Sequence, residues 1–167
     1  NSNELPLEIR EKTIPFHWVL EFWYCFFEDD GNPKQQERQG FDAVIGNPPY
    51  FSGIKLQKSI LKLQEKYFDY LWAARNDISY YFYLKGIFIL NKGGLIGYIF
   101  PRYFIKSHYA KEFRNYLKNH TLINKIIDTE NFQVFDDANI LTCILLVYNK
   151  FNKENVINFI RVKEWLE

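Results

Sequence analysis

An apolar run at residues 41–45 stops abruptly, and this stop limits the folds open to the chain. The run ends at Gly46 and is followed by Asn47, Pro48 and Pro49. Such a run is typical of a buried parallel strand, and the prolines end it because they have no backbone N–H for a strand ladder. Open α/β sheets bind their ligands at the carboxyl ends of their strands. The residues directly after the run are therefore the first candidates for a functional site.

Helix and strand patterns alternate after this point. A lysine-spaced segment at 54–66 predicts an amphipathic helix, and a helix is expected at 77–90, with a glycine-bearing stop at 91–94. A strand at 95–100 is ended by Pro101. The pattern recurs with a helix at 107–119 and a strand at 122–127. This alternation is typical of βαβ units.

The last part of the chain has a different pattern. Residues 134–135, 140–148 and 156–162 are β-rich and leave no room for helices between them, so the sheet is expected to end in antiparallel strands. Residues 28–40 are polar and turn-forming, which predicts a loop. We therefore predict one α/β domain over residues 1–167, built as the second half of a doubly wound, Rossmann-like sheet.

Composition excludes several classes of protein. With 167 residues, 47% hydrophobic and 25% charged, the chain is neither disordered, nor collagen-like, nor a disulfide scaffold. Cys25 and Cys143 lie in apolar runs and are expected in the core. His17, His108 and His120 have no metal-ligand spacing and are expected to be structural or on the surface.

Without a signal sequence or a run long enough to span a bilayer, a cytoplasmic protein with no membrane partner is expected. A chain without Met that begins at Asn1 is also expected to be a piece of a longer product.

Charge is unevenly distributed although the net charge is only +1. Between residues 84 and 125, eight basic residues are set against a single acidic one, Glu112. Two interpretations stay open, a solvated helix face and an edge that contacts phosphates.

The tetrad Asn47, Pro48, Pro49 and Tyr50 carries the candidate chemistry. Asn47 offers a side-chain carbonyl, and Pro48 offers a backbone carbonyl in a stiff segment. Two such acceptors match the two N–H bonds of a planar exocyclic amine, and accepting both favours a nucleophilic lone pair on its nitrogen. Tyr50 supplies a face on which the ring of the amine stacks. The alternative is structural: the two prolines end a strand and Tyr50 packs in the core.

These residues lie within longer stretches that carry a resemblance. FDAVIGNPPY resembles motif IV of the amino-methyltransferases that use S-adenosylmethionine. The surrounding sequence resembles the N6-adenine DNA methyltransferases of the Eco57I-like and TaqI-like restriction-modification group, roughly over residues 16–148. The supporting segments are FHWVLEF, YYFYLKGIFILNKGGLIGYIFP, FRNYLKN, LINKIID and NFQVFDDANILTCILLVY.

The resemblance implies methyl transfer from S-adenosylmethionine to N6 of an adenine flipped out of double-stranded DNA. Asn47 and the Pro48 carbonyl would accept from the amine, and Tyr50 would stack on the base. Phe135 resembles the aromatic residue on the other face of the base, and Phe82 matches a position near the adenine ring of the cofactor. For each of these two phenylalanines, the alternative interpretation is a structural residue packed in the core. Basic residues in 55–66 and 106–118 could hold flanking phosphates.

The departures from the family also matter. The Gly-rich turn and the acidic residue that hold the cofactor in these enzymes are absent, as is the target-recognition region. The chain is therefore expected to be inactive alone and to act with the remainder of the same polypeptide, and no metal is expected. Two alternatives remain: an NPPY-class methyltransferase acting on protein glutamine or an RNA base, and a noncatalytic nucleic-acid-binding module of the same fold.

Overall fold

The computed structural model describes residues 16–50, 77–130, 134–135 and 140–163. Three α-helices and five strands are present in these residues. The helices are α1 (Trp18–Glu21), α2 (Ile78–Phe88) and α3 (Lys111–His120). The strands are β1 (Phe41–Gly46), β2 (Leu90–Pro101), β3 (Leu122–Asp128), β4 (Thr142–Tyr148) and β5 (Asn158–Arg161).

The five strands form a single mixed sheet in the order β1-β2-β4-β3-β5. β1 pairs with β2 in parallel, and β4 lies antiparallel between β2 and β3. This confirms the α/β class and the change to antiparallel pairing at residues 140–148. The parallel strands β1, β2 and β3 point their carboxyl ends to one edge of the sheet, where the residues after each strand come together.

β5 departs from the expected antiparallel ending because it pairs in parallel with β3. β4 ends beside the start of β3, as the pairing of Leu122 with Tyr148 shows. A short return from that end places β5 on the free side of β3, running in the same direction. Its last residue, Arg161, is opposite Asp128, so both lie at the carboxyl edge.

Two local predictions need correction. Residues 91–94 are not a helix stop but an irregularity at the start of β2, where the pairing shifts between Phe41 and Ala43. The shift is held by Asn149, which exchanges backbone hydrogen bonds with Gly93 and Gly94 at 2.9 and 2.8 Å. Residues 134–135 form a bend rather than a strand. The other predicted strands and helices agree to within a few residues, and 28–40 is irregular apart from one 3₁₀ turn. The predicted helix at 54–66 lies outside the described residues.

The core lies between the sheet and the helices α2 and α3. Tyr80 and Tyr83 of α2 pack on Phe100 of β2 and Phe113 of α3, with ring centroids 4.9 to 5.8 Å apart. Tyr83 is fully buried, and its hydroxyl donates to the Leu145 carbonyl at 2.9 Å, which satisfies its polar atom. Each buried aromatic side chain contributes roughly 1.5–3 kcal/mol by removal from water. The aromatic content thus builds one packed layer that fixes β2 against both helices.

β1 is parallel as predicted but is not buried. Ile45 is 86% exposed, and among the described strands β1 pairs with β2 alone, so β1 is an edge strand with an uncovered side chain. Cys143 is buried in the core as predicted, whereas Cys25 is only half-buried. The three histidines are exposed, in line with the surface prediction. No helix in the described residues has the length and apolar character needed to cross a membrane.

Candidate active site

The Asn-Pro-Pro-Tyr segment leaves β1 at the carboxyl edge of the sheet. Gly46 pairs with Tyr98, so Asn47 follows beside the last residues of β2. Asn47 and Pro49 are exposed, Pro48 is buried and Tyr50 is half-buried. The segment thus presents the Asn47 amide to solvent while Pro48 anchors its backbone against the protein.

Tyr50 fixes the far end of this segment through its hydroxyl. The hydroxyl lies 2.8 Å from the Ile99 carbonyl of β2 and also contacts the Asn47 side-chain amide oxygen. Partial burial raises the pKa of Tyr50 above its ordinary value, so the phenol is protonated and able to donate at neutral pH. Since one hydroxyl proton serves one acceptor, a second donor that binds the Asn47 oxygen would leave Tyr50 bonded to Ile99.

A buried carboxylate supports the neighbouring chain segments. Asp77 is 3% exposed and caps α2 by accepting from the Ser79 backbone N–H at 2.9 Å. Its other oxygen accepts from the hydroxyl of Tyr103, which lies just after β2. Burial and this hydrogen bond raise the pKa of Tyr103 above its ordinary value. Asp77 therefore joins the start of α2 to the end of β2, beside the strand that holds Tyr50.

The sequence predicts Asp77 at the start of a helix and indicates no further role for Asp77 or Tyr103. The available signal was the Asp-Ile-Ser sequence, an N-cap pattern before an aromatic-rich helix. Nothing in the sequence indicates the contact with Tyr103, which depends on how β2 and α2 pack.

An ion pair lies further along the same edge. Arg102 donates from Nε to the Asp128 carboxylate at 2.6 Å, and the same oxygen accepts from the Glu130 backbone N–H at 3.0 Å. Asp128 is nearly inaccessible while Arg102 is about one-third exposed. Glu130 has a φ of 51°, an αL conformation that this hydrogen bond helps to hold. The pair fixes the chain after β2 to the end of β3.

Comparison with known proteins now decides the family. Residues 1–135 match the model of the Eco57I restriction-modification methylase family. The chain belongs to this family. Type II restriction enzyme and methyltransferase RM.Eco57I from Escherichia coli is 32% identical over 136 residues, which is 80% of this chain and 13% of the relative. The chain thus spans about an eighth of the length of that relative.

Solved structures agree on the fold. The type IIL restriction-modification enzyme MmeI, solved in complex with DNA, matches 74% of this chain and 17% of its own, with a TM-score of 0.55 and 15% identity. A Listeria monocytogenes protein assigned to the class I S-adenosylmethionine-dependent methyltransferases matches 72% of this chain and 37% of its own, with a TM-score of 0.54 and 16% identity. The chain therefore has the Rossmann-like fold of S-adenosylmethionine-dependent methyltransferases, as predicted.

The remaining predicted site residues of this chain, two phenylalanines and several lysines, are distant in sequence from the Asn-Pro-Pro-Tyr segment. Phe82 is on α2 and is 45% exposed, so it is not buried in the core of the described residues. Phe135 is half-buried in the bend at 134–135. Lys106, Lys111 and Lys118 are exposed, whereas the basic residues of 55–66 lie outside the described residues.

The chemistry available at this edge is that of hydrogen-bond acceptors and aromatic rings. The described residues hold no group of His, Cys, Asp or Glu able to bind a metal ion. Asn47 is exposed, its amide oxygen contacts the Tyr50 hydroxyl, and its neighbour Pro48 is held in place by burial. The arrangement can position and polarise a planar amine.

Proposed function

We propose that this chain is the amine-binding part of the catalytic domain of a site-specific DNA adenine-N6 methyltransferase from a restriction-modification enzyme. The observation that carries the proposal is the exposed Asn47 amide, held at the end of β1 by buried Pro48 and by Tyr50. Membership of the Eco57I restriction-modification methylase family supports it. Adenine carries a planar exocyclic amine that fits such a pair of acceptors, as cytosine also does, and the choice of adenine rests on the resemblance to the N6-adenine enzymes.

The two acceptors act on the amine of a flipped-out adenine. The Asn47 side-chain oxygen and the Pro48 carbonyl each accept one N–H of N6, which turns the lone pair of the nitrogen away from conjugation with the ring. The substrate N–H takes the place of the Tyr50 hydroxyl at Asn47, and Tyr50 keeps its bond to Ile99. The nitrogen lone pair would then form the bond to the methyl group as the bond between that methyl and the cofactor sulfur breaks, and the methylated nitrogen would release one N–H proton to water. Positioning of this kind lowers the barrier mainly through orientation.

The ring of Tyr50 and the ring of Phe135 form the proposed clamp on the base. Stacking on an aromatic side chain contributes roughly 1–3 kcal/mol per base, which is comparable with the few kcal/mol that extrusion of a base costs. The fixed hydroxyl of Tyr50 supports this role, because a ring held at both ends loses little freedom when a base stacks on it.

S-adenosylmethionine, when bound, supplies an electrophilic methyl group. The described residues contain no glycine-rich turn that opens a helix, so they fit this cofactor only in part, through the exposed ring of Phe82. We place its main binding elements in the remainder of the same polypeptide. Among the described strands β1 lies at the edge of the sheet, which supports this arrangement because a further parallel strand can pair there.

The test uses the full-length protein that contains this chain, with labelled S-adenosylmethionine and double-stranded DNA. Asn47→Ala should abolish labelling of adenine while DNA binding survives, and Asn119→Ala, an exposed asparagine on α3, should label like the wild type. Label on protein or RNA but not on DNA would favour an NPPY-class enzyme with another substrate. Binding of DNA with no labelling of any substrate would favour the noncatalytic module.

A further inference from the structure

A cleft of about 620 Å³ lies at the carboxyl edge of the sheet, beyond the candidate active site. It is formed by the chain after β2, the start of β4 and the end of β5. We call it the edge cleft and define it by Arg102, Lys106, Leu141, Phe159 and Arg161. Leu141 and Phe159 are both exposed, so the cleft combines an apolar wall with cationic side chains.

The positive charge of the cleft is only partly neutralised. Arg102 is held by Asp128 at 2.6 Å, which compensates its charge. Arg161 lies 3.6 Å from Glu130, and both side chains are substantially exposed, so this pair is weak. Of the ion pairs within the described part of the chain, none uses Lys106, which is exposed. Lys106 is therefore available to an anion, and Arg161, which also lies 5.7 Å from the centroid of the Phe159 ring, can exchange its weak pair with Glu130 for one.

The cleft and the Asn-Pro-Pro-Tyr segment share one edge. Strands are spaced about 4.8 Å apart, and the cleft is centred two to three strands from β1, so it lies roughly 10–15 Å from the end of that strand. A DNA strand advances about 3.4 Å per nucleotide, so this is a span of three or four nucleotides. A strand whose adenine is bound at Asn47 can thus reach the cleft.

The geometry points to the edge cleft as a binding site for a backbone phosphate of DNA, three or four nucleotides from the adenine in the active site. The inference rests on the proposed function and adds a specific site to it. Lys106 and Arg161 bind the phosphate oxygens, and Leu141 and Phe159 contact the adjoining deoxyribose. Arg102 stays with Asp128 and shapes the floor of the cleft.

The test is DNA binding by the full-length protein without cofactor, followed by fluorescence anisotropy over a range of salt concentrations. The Lys106→Ala, Arg161→Ala double variant should lower the slope of log affinity against log salt by about one, which is about an eightfold loss at 0.1 M salt, and each single variant should lower it by part of that amount. Lys150→Ala is the matched control, because Lys150 is an exposed lysine that follows β4 at the opposite edge. It should leave the slope unchanged.

The position is tested with DNA in which single phosphates are replaced by uncharged methylphosphonates. Wild-type protein should lose affinity at one phosphate three or four nucleotides from the methylated adenine, and the Lys106→Ala, Arg161→Ala double variant should lose none there. Unchanged slopes, or an effect equal to that of Lys150→Ala, would overturn the inference. So would variants that lower the melting temperature but not the affinity, since another part of the polypeptide would then fill the cleft.

The two proposals fail separately. If adenine is methylated and Asn47→Ala prevents it, but the cleft variants keep the wild-type slope, only the cleft inference is wrong. If no adenine is labelled while the slopes fall as expected, the cleft binds DNA and the proposed methyl transfer is wrong.

Discussion

The hydroxyl of Tyr50 lies 2.8 Å from the backbone carbonyl of Ile99, which joins the segment after β1 to the neighbouring strand β2. Pro48 and Pro49 stiffen the backbone in between, so the position of the Asn47 amide is set from both ends. The Tyr50 side chain thus holds the segment in place, and its ring is also a candidate surface for stacking of a base. Substitutions at position 50 can separate the two roles.

Tyr50→Phe removes the hydroxyl and keeps the ring, whereas Tyr50→Ala removes both. We expect Tyr50→Phe to reduce methyl transfer a few-fold, since loss of one hydrogen bond costs about 1 kcal/mol. Tyr50→Ala should reduce it roughly 10- to 100-fold, because stacking on the base is lost too. Steady-state rates with labelled cofactor measure both. If Tyr50→Ala and Phe135→Ala both leave the rate unchanged, the proposed clamp is wrong.

Asp77 should matter for stability through its two contacts, the α2 cap at Ser79 and the hydroxyl of Tyr103. Asp77→Ala is expected to lower the free energy of unfolding by about 2–4 kcal/mol, since it removes a cap and a partly buried hydrogen bond. Tyr103→Phe should cost only about 1 kcal/mol. Chemical denaturation measures both, with Tyr24→Phe as a control at an exposed tyrosine. Equal stability of Asp77→Ala and wild type would contradict the contacts described.

Gly40 joins the irregular segment 28–40 to β1 with a φ of 115°, and a Cβ there would lie 2.5 Å from the Ile89 carbonyl oxygen. Gly40→Ala should therefore cost both backbone strain and a steric clash, about 2 kcal/mol or more. Gly31 has a φ of 82° and open space around its Cβ position, so Gly31→Ala should cost only the strain, about 1 kcal/mol. Denaturation midpoints test the difference, and equal losses would show that the close approach to Ile89 carries no cost.

The sequence is sufficient to predict most elements of the fold because their signals are local. Gly46 and the two prolines end β1, and the Asp77 cap begins α2, as expected. The direction of β5 and the exposure of Ile45 have no such local signal in the sequence. They depend on which edge of the sheet is free and which face is covered, and both are properties of the assembled strands and helices. The position of the Asn47 tetrad followed from its strand, but the contacts of Tyr50 with Ile99 and of Asp77 with Tyr103 join residues 49 and 26 positions apart.

Cys143 predicts a loss of stability at alkaline pH. It is completely buried in β4, and burial raises the pKa of its thiol to about 12. In the unfolded chain the thiol has a pKa of about 8.5. The unfolded state therefore releases its proton first as pH rises, and unfolding becomes more favourable between pH 8.5 and 12. The stabilisation is complete below pH 8.5 and falls by at most about 1.4 kcal/mol per pH unit above it.

This dependence can be isolated with two variants of the same strand. Cys143→Ala removes the thiol, so its deficit in unfolding free energy relative to wild type should shrink between pH 8.5 and 10. Val147→Ala makes a comparable truncation at a buried residue that does not titrate, and its deficit should be constant over that range. Above pH 10 the buried hydroxyl of Tyr83, whose pKa is also raised by burial, adds to the loss in all three proteins. A Cys143→Ala deficit that stays constant from pH 7 to 10 would show that the thiol ionises as readily in the folded protein as in the unfolded chain.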